Sequence, residues 1–253
     1  MTKARTYPRR GLHGAVVHEI GVRILRGELR PGDAVQMDDD LSDEPSVSRT
    51  VLREAIKVLA AKRLVESRPK TGTRVRPRRD WNLLDPDVLA WQIEAGPDPR
   101  FLGEALELRR LIEPQAARLA AERATNEQIT ALAEAHAALE AAGESLDAFM
   151  EPDLRFHTLL FEAGHNELLE HMGGILSAVL RILFSYSARP PGAYRRAAAI
   201  HGAVVDAIRA HDPDAAEAAI LRLSDDTADN IDWVLEHGWD DPTDDERPSL
   251  RLG

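Results

Sequence analysis

Residues 46–75 read SVSRTVLREAIKVLAAKRLVESRPKTGTRV, and this stretch contains two patterns in succession. In its first half, apolar residues recur at intervals of three and four, which predicts a helix with one buried face. The apolar residues on that face are Val47, Val51, Leu52, Ala55, Val58 and Leu59. Arg49, Arg53 and Lys57 lie four residues apart on another face, so we expect three cations to be exposed on two turns of the helix.

The second half of the stretch changes to a strand pattern after Arg63. Residues 64–68 and 73–75 alternate as short strands do, on either side of a turn at residues 69–72. A helix that runs directly into a β-hairpin is typical of a winged helix-turn-helix. We assign the two earlier helices of this motif to residues 11–29, ended by a turn at Pro31 and Gly32, and to residues 39–44.

The cationic helix also has an N-terminus that favours an anionic partner. Ser46 or Ser48 can cap it, and the positive end of the helix dipole attracts phosphate oxygens. The alternative is a surface helix whose basic residues are merely solvated. The adjoining hairpin and the flanking charge favour DNA as the partner.

The net charge of −11 hides an uneven distribution along the chain. Residues 1–80 contain 18 Lys and Arg against 11 Asp and Glu, which gives +7, whereas the remainder carries −18. A basic N-terminal part can neutralise phosphates while the acidic part stays off the DNA. The basic run at residues 74–79 extends this positive patch and is either a contact to the DNA backbone or a solvated connector.

Composition places the chain among ordinary globular proteins with room for about two domains, since 253 residues are 43% hydrophobic and 30% charged. We find no run of about eighteen apolar residues and no apolar core of a signal peptide, so we expect no membrane span and a cytoplasmic location. The absence of cysteine excludes disulfides and thiolate ligands. Any metal must therefore be held by histidine and carboxylate.

From Trp81 onward the pattern is almost entirely helical. Breaks at residues 82–87 and 96–99 flank a short helix at residues 88–93. Six longer helices are predicted at residues 100–123, 126–142, 146–163, 167–187, 194–210 and 213–237. The expected fold is mainly α, with an N-terminal winged helix-turn-helix and a C-terminal all-α bundle of six or seven helices.

We expect four segments along the chain. They are a DNA-binding domain at residues 1–76, a linker at residues 77–85, a helical effector-binding and dimerisation domain at residues 86–238, and a disordered tail at residues 239–253.

Residues 47–56 and 72–75 resemble the recognition helix and wing of GntR-family transcriptional regulators. Residues 107–124, 153–157 and 201–216 resemble the ligand-sensing helical domain, called FCD, of the fatty-acid-regulator branch of that family. Residues 81–91 are similar to the linker of galactonate-responsive repressors within this branch. The resemblance covers residues 11–235 and implies an effector-responsive DNA-binding regulator.

We therefore expect a homodimer on a palindromic double-stranded operator, since one recognition helix reads only a few base pairs. Arg49 and Arg53 would reach guanine edges or adjacent phosphates, and Ser48 and Thr50 would contact the DNA backbone. The wing residues Lys70, Thr71 and Gly72 would enter the minor groove.

Asp153 and His157 stand four apart and project from one helical face within reach of one cation. His201 opens another helix. From spacing alone, we favour a surface ion pair between Asp153 and His157 and a helix-capping role for His201. The resemblance instead implies a polar effector pocket at these three residues, in which Zn, Ni or Mn is a possible cofactor. In metal-binding members a further histidine completes the set, and its position here is Leu223, with Asp225, Asp226 and Thr227 as nearby substitutes.

Arg109 is the expected partner of an anionic effector, because a guanidinium holds a carboxylate with two parallel hydrogen bonds. The alternatives are an ion pair between Arg109 and Glu113, and an inward position for Arg110 instead. Lesser candidates for the pocket are Tyr186, Asn230 and Trp233.

A competing interpretation is a metal-dependent helical hydrolase with a DNA-binding appendage, based on the adjacent pair His211 and Asp212. The helix break at Pro213 would leave that pair in an exposed loop, and the sequence offers no evident general base, catalytic triad or phosphate-binding loop. A purely architectural DNA binder does not explain the large acidic bundle. The sequence therefore favours a non-enzymatic repressor of a sugar-acid catabolic operon, released from its operator by a small organic acid.

Overall fold

The computed structural model describes residues 11–35, 49–70, 72–96, 98–143 and 145–237. It divides into two compact units, Met1–Pro97 and Asp98–Gly253. Within the described residues, the N-terminal unit contains α1 (Leu12–Leu25), α2 (Arg49–Ala61), β1 (Val65–Arg68), β2 (Gly72–Val75) and α3 (Pro86–Ala95). The C-terminal unit contains α4 (Pro99–Arg123), α5 (Asn126–Ala142), α6 (Leu146–Ala163), α7 (Glu167–Ser187), α8 (Ala193–Arg209) and α9 (Pro213–His237).

The predicted fold class, mainly α with an N-terminal winged helix-turn-helix and a C-terminal helical bundle, is confirmed. The second helix assigned to residues 39–44, the capping residues 46 and 48, and the tail at 239–253 lie outside the described residues.

The wing is an antiparallel hairpin in which Val65 pairs with Val75 and Arg68 pairs with Gly72. The other edge of β2 is covered by residues 32–35, because the amide of Val35 donates to the carbonyl of Thr73 and the amide of Val75 donates to the carbonyl of Asp33. Both edges of β2 are therefore hydrogen-bonded, which fixes the hairpin relative to α1 and its following turn.

The first helix is shorter than predicted, since α1 ends at Leu25 and not at residue 29. Gly27 adopts a φ of 76°, and its amide donates to the carbonyl of Ile24. The next amide, that of Glu28, donates back to Arg23, which completes a Schellman ending. The helix therefore stops at Gly27, four residues before the Pro31–Gly32 turn that was expected to end it.

Helix α3 packs within the N-terminal unit, so the chain divides after Pro97 and not at the expected boundary between residues 85 and 86. Trp91 of α3 is 3% exposed and lies directly on Gly21 of α1. At the other end of α3, the buried ammonium of Lys62 pairs with Asp85 at 2.8 Å and with Asp87. These contacts join residues far apart in sequence, which explains why the sequence pattern placed α3 with the later helices.

The six helices of the C-terminal unit follow the predicted segments closely. Most begin at a side chain that accepts hydrogen bonds from the first amides of the helix, as the sequence boundaries implied. These capping residues are Asp98 for α4, Thr125 for α5, Ser145 for α6 and Asn166 for α7. The core between α4, α5, α6, α8 and α9 is built largely from alanine, leucine and isoleucine, which allows close helix packing.

Helix α7 is long and apolar enough, by length and composition, to cross a membrane, since its 21 residues include a window of mean hydropathy 1.4. No such run was expected from the sequence. In this structure α7 packs against α6 and α9, and Leu176, Val179 and Leu183 are buried. The core helix of a globular domain has the same composition, so this feature alone is weak evidence for a membrane span.

We predict that Gly21→Ala destabilises the N-terminal unit, because the added Cβ would lie 2.4 Å from the ring of Trp91. Such overpacking costs about 1–3 kcal/mol. The control is Gly103→Ala on α4, where an added Cβ meets nothing within 4 Å. Urea unfolding followed by tryptophan fluorescence measures both variants. Equal stability of Gly21→Ala and the unmodified chain would refute the packing described here.

Candidate functional site

The exposed face of α2 carries the cations that the sequence placed there. Arg49, Thr50 and Arg53 are exposed, and so is Lys57, which donates to Glu54 at 2.7 Å. This contact with Lys57 lowers the pKa of Glu54 below its ordinary value. The opposite face buries Ala55 and Leu59 completely, so the helix is anchored on one side and presents basic groups on the other.

The wing adds a second basic surface. Lys70 and Gly72 are exposed in the hairpin turn, where both have a positive φ, of 68° and 75°. Arg74 is also exposed, and its Nη1 donates to the carbonyl of Gly32 at 2.7 Å. Two other sequence candidates, Ser48 and Thr71, lie outside the described residues.

The second site is a cavity in the C-terminal unit, lined by five helices. The space between its walls, including the part open to solvent, is about 420 Å³. The polar wall consists of Arg109, Asp153, Ser187, His201, Asp226, Thr227 and Asn230. Three of the four residues that the sequence assigned to the effector, Arg109, Asp153 and His201, are thus brought together on one cavity wall. The fourth, His157, lies directly behind them, since its Nε2 is 4.0 Å from Asp153 Oδ1.

Behind this wall lies the carboxylate of Glu113, which is 0% exposed. One of its oxygens, Oε2, accepts a hydrogen bond from Nε of Arg109 at 2.7 Å. The other, Oε1, lies 3.0 Å from Nδ1 of His157. Burial would raise the pKa of Glu113, but the charges of Arg109 and His157 outweigh it and lower the pKa to about 2. The carboxylate therefore stays ionised, with one oxygen hydrogen-bonded to Arg109 and the other within ion-pair distance of His157, although Oε1 and Nδ1 have no hydrogen-bond partner among the described residues.

Both cavity histidines point the same nitrogen toward Asp153. Nδ1 of His201 donates to the carbonyl of Ala197 at 2.7 Å, and Nδ1 of His157 faces Glu113. Burial lowers the pKa of His201, against the opposing effect of Asp153, so its imidazole is neutral near pH 7. A neutral ring that donates through Nδ1 has its lone pair on Nε2. Nε2 of His201 is thus left as an acceptor, and Nε2 of His157 is an acceptor because Nη2 of Arg109 lies 3.3 Å away and can only donate.

The Nε2 atoms of His157 and His201 both face Asp153. Its Oδ1 lies 3.3 Å from Nε2 of His201 and 4.0 Å from Nε2 of His157. Among the described residues, Nε2 of His201 is buried without a hydrogen-bond partner.

The three ligand atoms lie within 4.8 Å of one another. One carboxylate and two imidazole lone pairs suit a borderline divalent metal. The partners at each Nδ1 are also those that usually orient a metal-bound histidine, namely a carboxylate and a backbone carbonyl. Leu223, where the resemblance leads us to expect a further histidine, lines the same cavity and offers no ligand atom.

Arg109 faces inward and Arg110 faces outward, which resolves the ambiguity in the sequence. Arg109 is 5% exposed and also donates to Thr227 through Nη1 at 2.8 Å. Its Nη2 lies 3.3 Å from Nε2 of His157. Arg110 is exposed and pairs with Asp225 on α9. The ion pair to Glu113, considered as an alternative role for Arg109, coexists with its position on the cavity wall.

The opposite wall of the cavity is aromatic and was not recognised in the sequence. Phe149 stacks on Phe184 at 5.6 Å between ring centroids and meets Tyr194 edge-on at 5.2 Å. The three rings come from α6, α7 and α8, so no local pattern links them. The mouth carries Asp226 and Asn230, whose side chains hydrogen-bond each other and Arg196.

The remaining candidates from the sequence lie elsewhere. Tyr186 is buried but does not line the cavity, and burial raises its pKa to about 12. Trp233 stacks on His237. The pair behind the hydrolase interpretation has structural roles, since His211 hydrogen-bonds the carbonyl of Ala121 and Asp212 accepts from the amide of Ala215 at the start of α9.

Two family models match this chain. Residues 12–75 match the gntR family of bacterial regulatory proteins, and residues 104–226 match the FCD domain. The galactonate operon transcriptional repressor of Escherichia coli K12 is 36% identical over 82% of this chain and 91% of its own length. The regulator LutR of Bacillus subtilis is 31% identical over 78% of this chain and 91% of its own length.

Solved structures support the same fold at lower identity. Lar, which controls the expression of the Listeria monocytogenes agr system, has a TM-score of 0.62 at 16% identity and covers 91% of this chain and 100% of its own. McbR/YncC of E. coli has a TM-score of 0.50 at 19% identity, over 90% and 99% of the two chains. The related proteins are transcriptional regulators and not enzymes. The chain therefore belongs to the GntR family of bacterial regulatory proteins, in the branch with an FCD domain, and is a ligand-responsive DNA-binding transcriptional regulator.

Proposed function

We propose that this regulator represses a sugar-acid catabolic operon and leaves its operator when a sugar acid occupies the cavity of the C-terminal unit. The observation that carries the proposal is the arrangement of Arg109 on the cavity wall. Three of the five guanidinium N–H groups are used by Glu113, Thr227 and His157. Among the described residues, this leaves one N–H on each terminal nitrogen for a ligand, and one carboxylate can accept both.

The rest of the cavity supports a polyhydroxylated acid as the ligand. Thr227, Asp226, Asn230 and Ser187 offer hydrogen-bonding partners for hydroxyl groups. The facing rings of Phe149, Phe184 and Tyr194 can cover the C–H face of a sugar chain. The name of the galactonate operon repressor, a relative at 36% identity, supports the same ligand class.

We further propose that Asp153, His157 and His201 hold a divalent metal, with zinc, nickel and manganese as the candidates. Such a cation would leave positions open for effector oxygens, because the described residues supply three ligand atoms. In this role the metal would polarise and fix a carboxylate or hydroxyl oxygen of the ligand. Glu113 and the carbonyl of Ala197 would orient the two imidazoles.

On DNA, we propose that a homodimer binds a palindromic operator in the cytoplasm, with one α2 helix in each major groove. Arg49 and Arg53 would contact guanine edges or phosphates, supported by Ser48 and Thr50 on the backbone. Lys70, Thr71 and Gly72 would carry the wing into the minor groove. Repression ends when the effector binds the arrangement of the protein that is incompetent for DNA, because a ligand with equal affinity for both states shifts nothing.

We predict that Arg49→Ala and Arg53→Ala each weaken specific operator binding by about 1–3 kcal/mol, because each removes a contact to base edges or phosphates from an exposed position. Operator duplexes selected from a randomised library and fluorescence anisotropy measure the affinity. Arg209→Ala, an exposed arginine of α8, is the control with the same change of charge. Near-normal affinity of both α2 variants at physiological salt would overturn the assignment of this surface.

We predict that Arg109→Lys leaves operator affinity unchanged but raises the D-galactonate concentration needed for release by about tenfold or more. Lysine keeps a cation near Glu113 but cannot form two parallel hydrogen bonds to a carboxylate. Arg109→Ala is less informative, since it leaves a buried carboxylate uncompensated at a cost of about 3–5 kcal/mol. Arg110→Lys is the matched control on the same helix. Release of Arg109→Lys and the unmodified protein at the same concentration would contradict this role.

A further inference from the structure

Arg109 hydrogen-bonds Nε2 of His157, the nitrogen that faces Asp153 and His201. Nη2 of Arg109 lies 3.3 Å from Nε2 of His157, and because a guanidinium can only donate, this nitrogen accepts through its lone pair. The guanidinium is held in this position by two shorter hydrogen bonds, to Glu113 at 2.7 Å and to Thr227 at 2.8 Å. In this arrangement, Arg109 is the positively charged group that donates to the lone pair on Nε2 of His157.

The same nitrogen belongs to the set of three atoms that could hold a metal. Asp153, His157 and His201 place one oxygen and two imidazole nitrogens within 4.8 Å of one another. A single lone pair on Nε2 of His157 can bind either an N–H group or a metal ion, but not both. A metal at this cluster would also lie close to the positive guanidinium, and like charges repel.

The local charges favour a further ligand once a cation has bound. Glu113 and Asp153 contribute two negative charges and Arg109 one positive charge, which gives a net of −1 with neutral imidazoles. A divalent cation changes this to +1, and one carboxylate from a ligand returns the cluster to neutrality. In a buried site, such compensation strengthens the binding of each partner in the presence of the other.

We propose that Arg109 and a divalent cation are alternative partners of Nε2 of His157, and that cation binding releases a further N–H group of Arg109, beyond the two that the described residues leave free, for an anionic effector. The exchange itself depends only on the cluster, whereas the identity of the anion rests on the proposed function. By linkage, the anion then raises the affinity for the cation by the same factor as the cation raises the affinity for the anion.

Zinc titration of the full chain, in competition with a chromophoric chelator, tests the exchange. Arg109→Gln is expected to bind Zn²⁺ about tenfold or more tightly than the unmodified protein, because a competing cation has been removed. Arg110→Gln is the control, since it makes the same change on the next residue of α4 but removes a surface pair with Asp225. Its Zn²⁺ affinity is expected to stay unchanged. The double variant Arg109→Gln/His201→Ala is expected to lose the higher Zn²⁺ affinity of Arg109→Gln. That loss would assign the bound Zn²⁺ to this cluster.

A second variant guards against misfolding, because Arg109→Gln leaves Glu113 buried without its cation. Arg109→Gln/Glu113→Gln removes both charges together, and the new amide oxygen at position 113 can still accept from Nδ1 of His157. Circular dichroism verifies that each variant is folded. The proposal is overturned if folded Arg109→Gln and folded Arg109→Gln/Glu113→Gln both bind Zn²⁺ no more tightly than the unmodified protein.

D-galactonate provides the second arm of the experiment. It is expected to raise the Zn²⁺ affinity of the unmodified protein and to have no effect on Arg109→Gln. If Arg109→Gln gains Zn²⁺ affinity but D-galactonate leaves the unmodified protein unchanged, the exchange stands and the assignment of D-galactonate as effector fails. If D-galactonate raises the Zn²⁺ affinity of Arg109→Gln equally, the anion acts without Arg109 and the coupling proposed here is wrong.

Discussion

The carboxylate of Glu113 is fully buried, and it accepts a hydrogen bond from Arg109 with one oxygen while the other lies 3.0 Å from Nδ1 of His157. The orientation of Arg109, and through it the hydrogen bonds to Thr227 and His157, depends on this arrangement. Arg109 is fixed with its terminal nitrogens toward Thr227 and His157, and His157 is turned so that Nε2 faces Asp153. Without Glu113, the guanidinium would be a buried charge without its counterion, and Nδ1 of His157 would lose the carboxylate oxygen that lies 3.0 Å away.

Burial of such a cluster is expensive unless every charge is compensated. The pKa of Glu113 is lowered from 4.5 to about 2, so its folded value lies below its unfolded value. The contribution of this group to stability is therefore fully present above the unfolded value and is lost only as the pH falls toward 2. At neutral pH the carboxylate is a permanent negative charge in the interior. In the proposed function, this charge would favour a cation in the cavity and, through Arg109, the anion that accompanies it.

Local pattern was sufficient to predict most helices. The segments of the C-terminal unit agree with the predicted ranges because side chains such as Asp98, Thr125 and Asn166 mark helix starts by hydrogen-bonding the first amides. The end of α1 was wrong because a left-handed Gly27 ends that helix before the more conspicuous Pro31 and Gly32. The placement of α3 was wrong because it depends on the contact between Trp91 and Gly21, seventy residues apart.

The cavity was only partly predictable for the same reason. The spacing of Asp153 and His157 on one helix face is readable, as is that of Arg109 and Glu113. The contact between Glu113 and His157 joins α4 to α6, and the aromatic wall of Phe149, Phe184 and Tyr194 joins three helices. No periodicity within one element encodes such contacts. The resemblance to the FCD domain implied a pocket at Arg109, Asp153 and His157. It gave no information on the contact between Glu113 and His157 or on the aromatic wall.

The most direct test of this account is the tautomeric state of the two cavity histidines in the metal-free protein. Two-bond ¹H–¹⁵N correlation spectra of ¹⁵N-histidine-labelled protein distinguish an imidazole protonated on Nδ1 from one protonated on Nε2, and His157→Gln and His201→Gln assign the signals. The account predicts that both rings carry their proton on Nδ1 near neutral pH, directed to Glu113 and to the carbonyl of Ala197. Protonation of either ring on Nε2 would contradict it, because the lone pair that faces Asp153 and the cavity would then not exist.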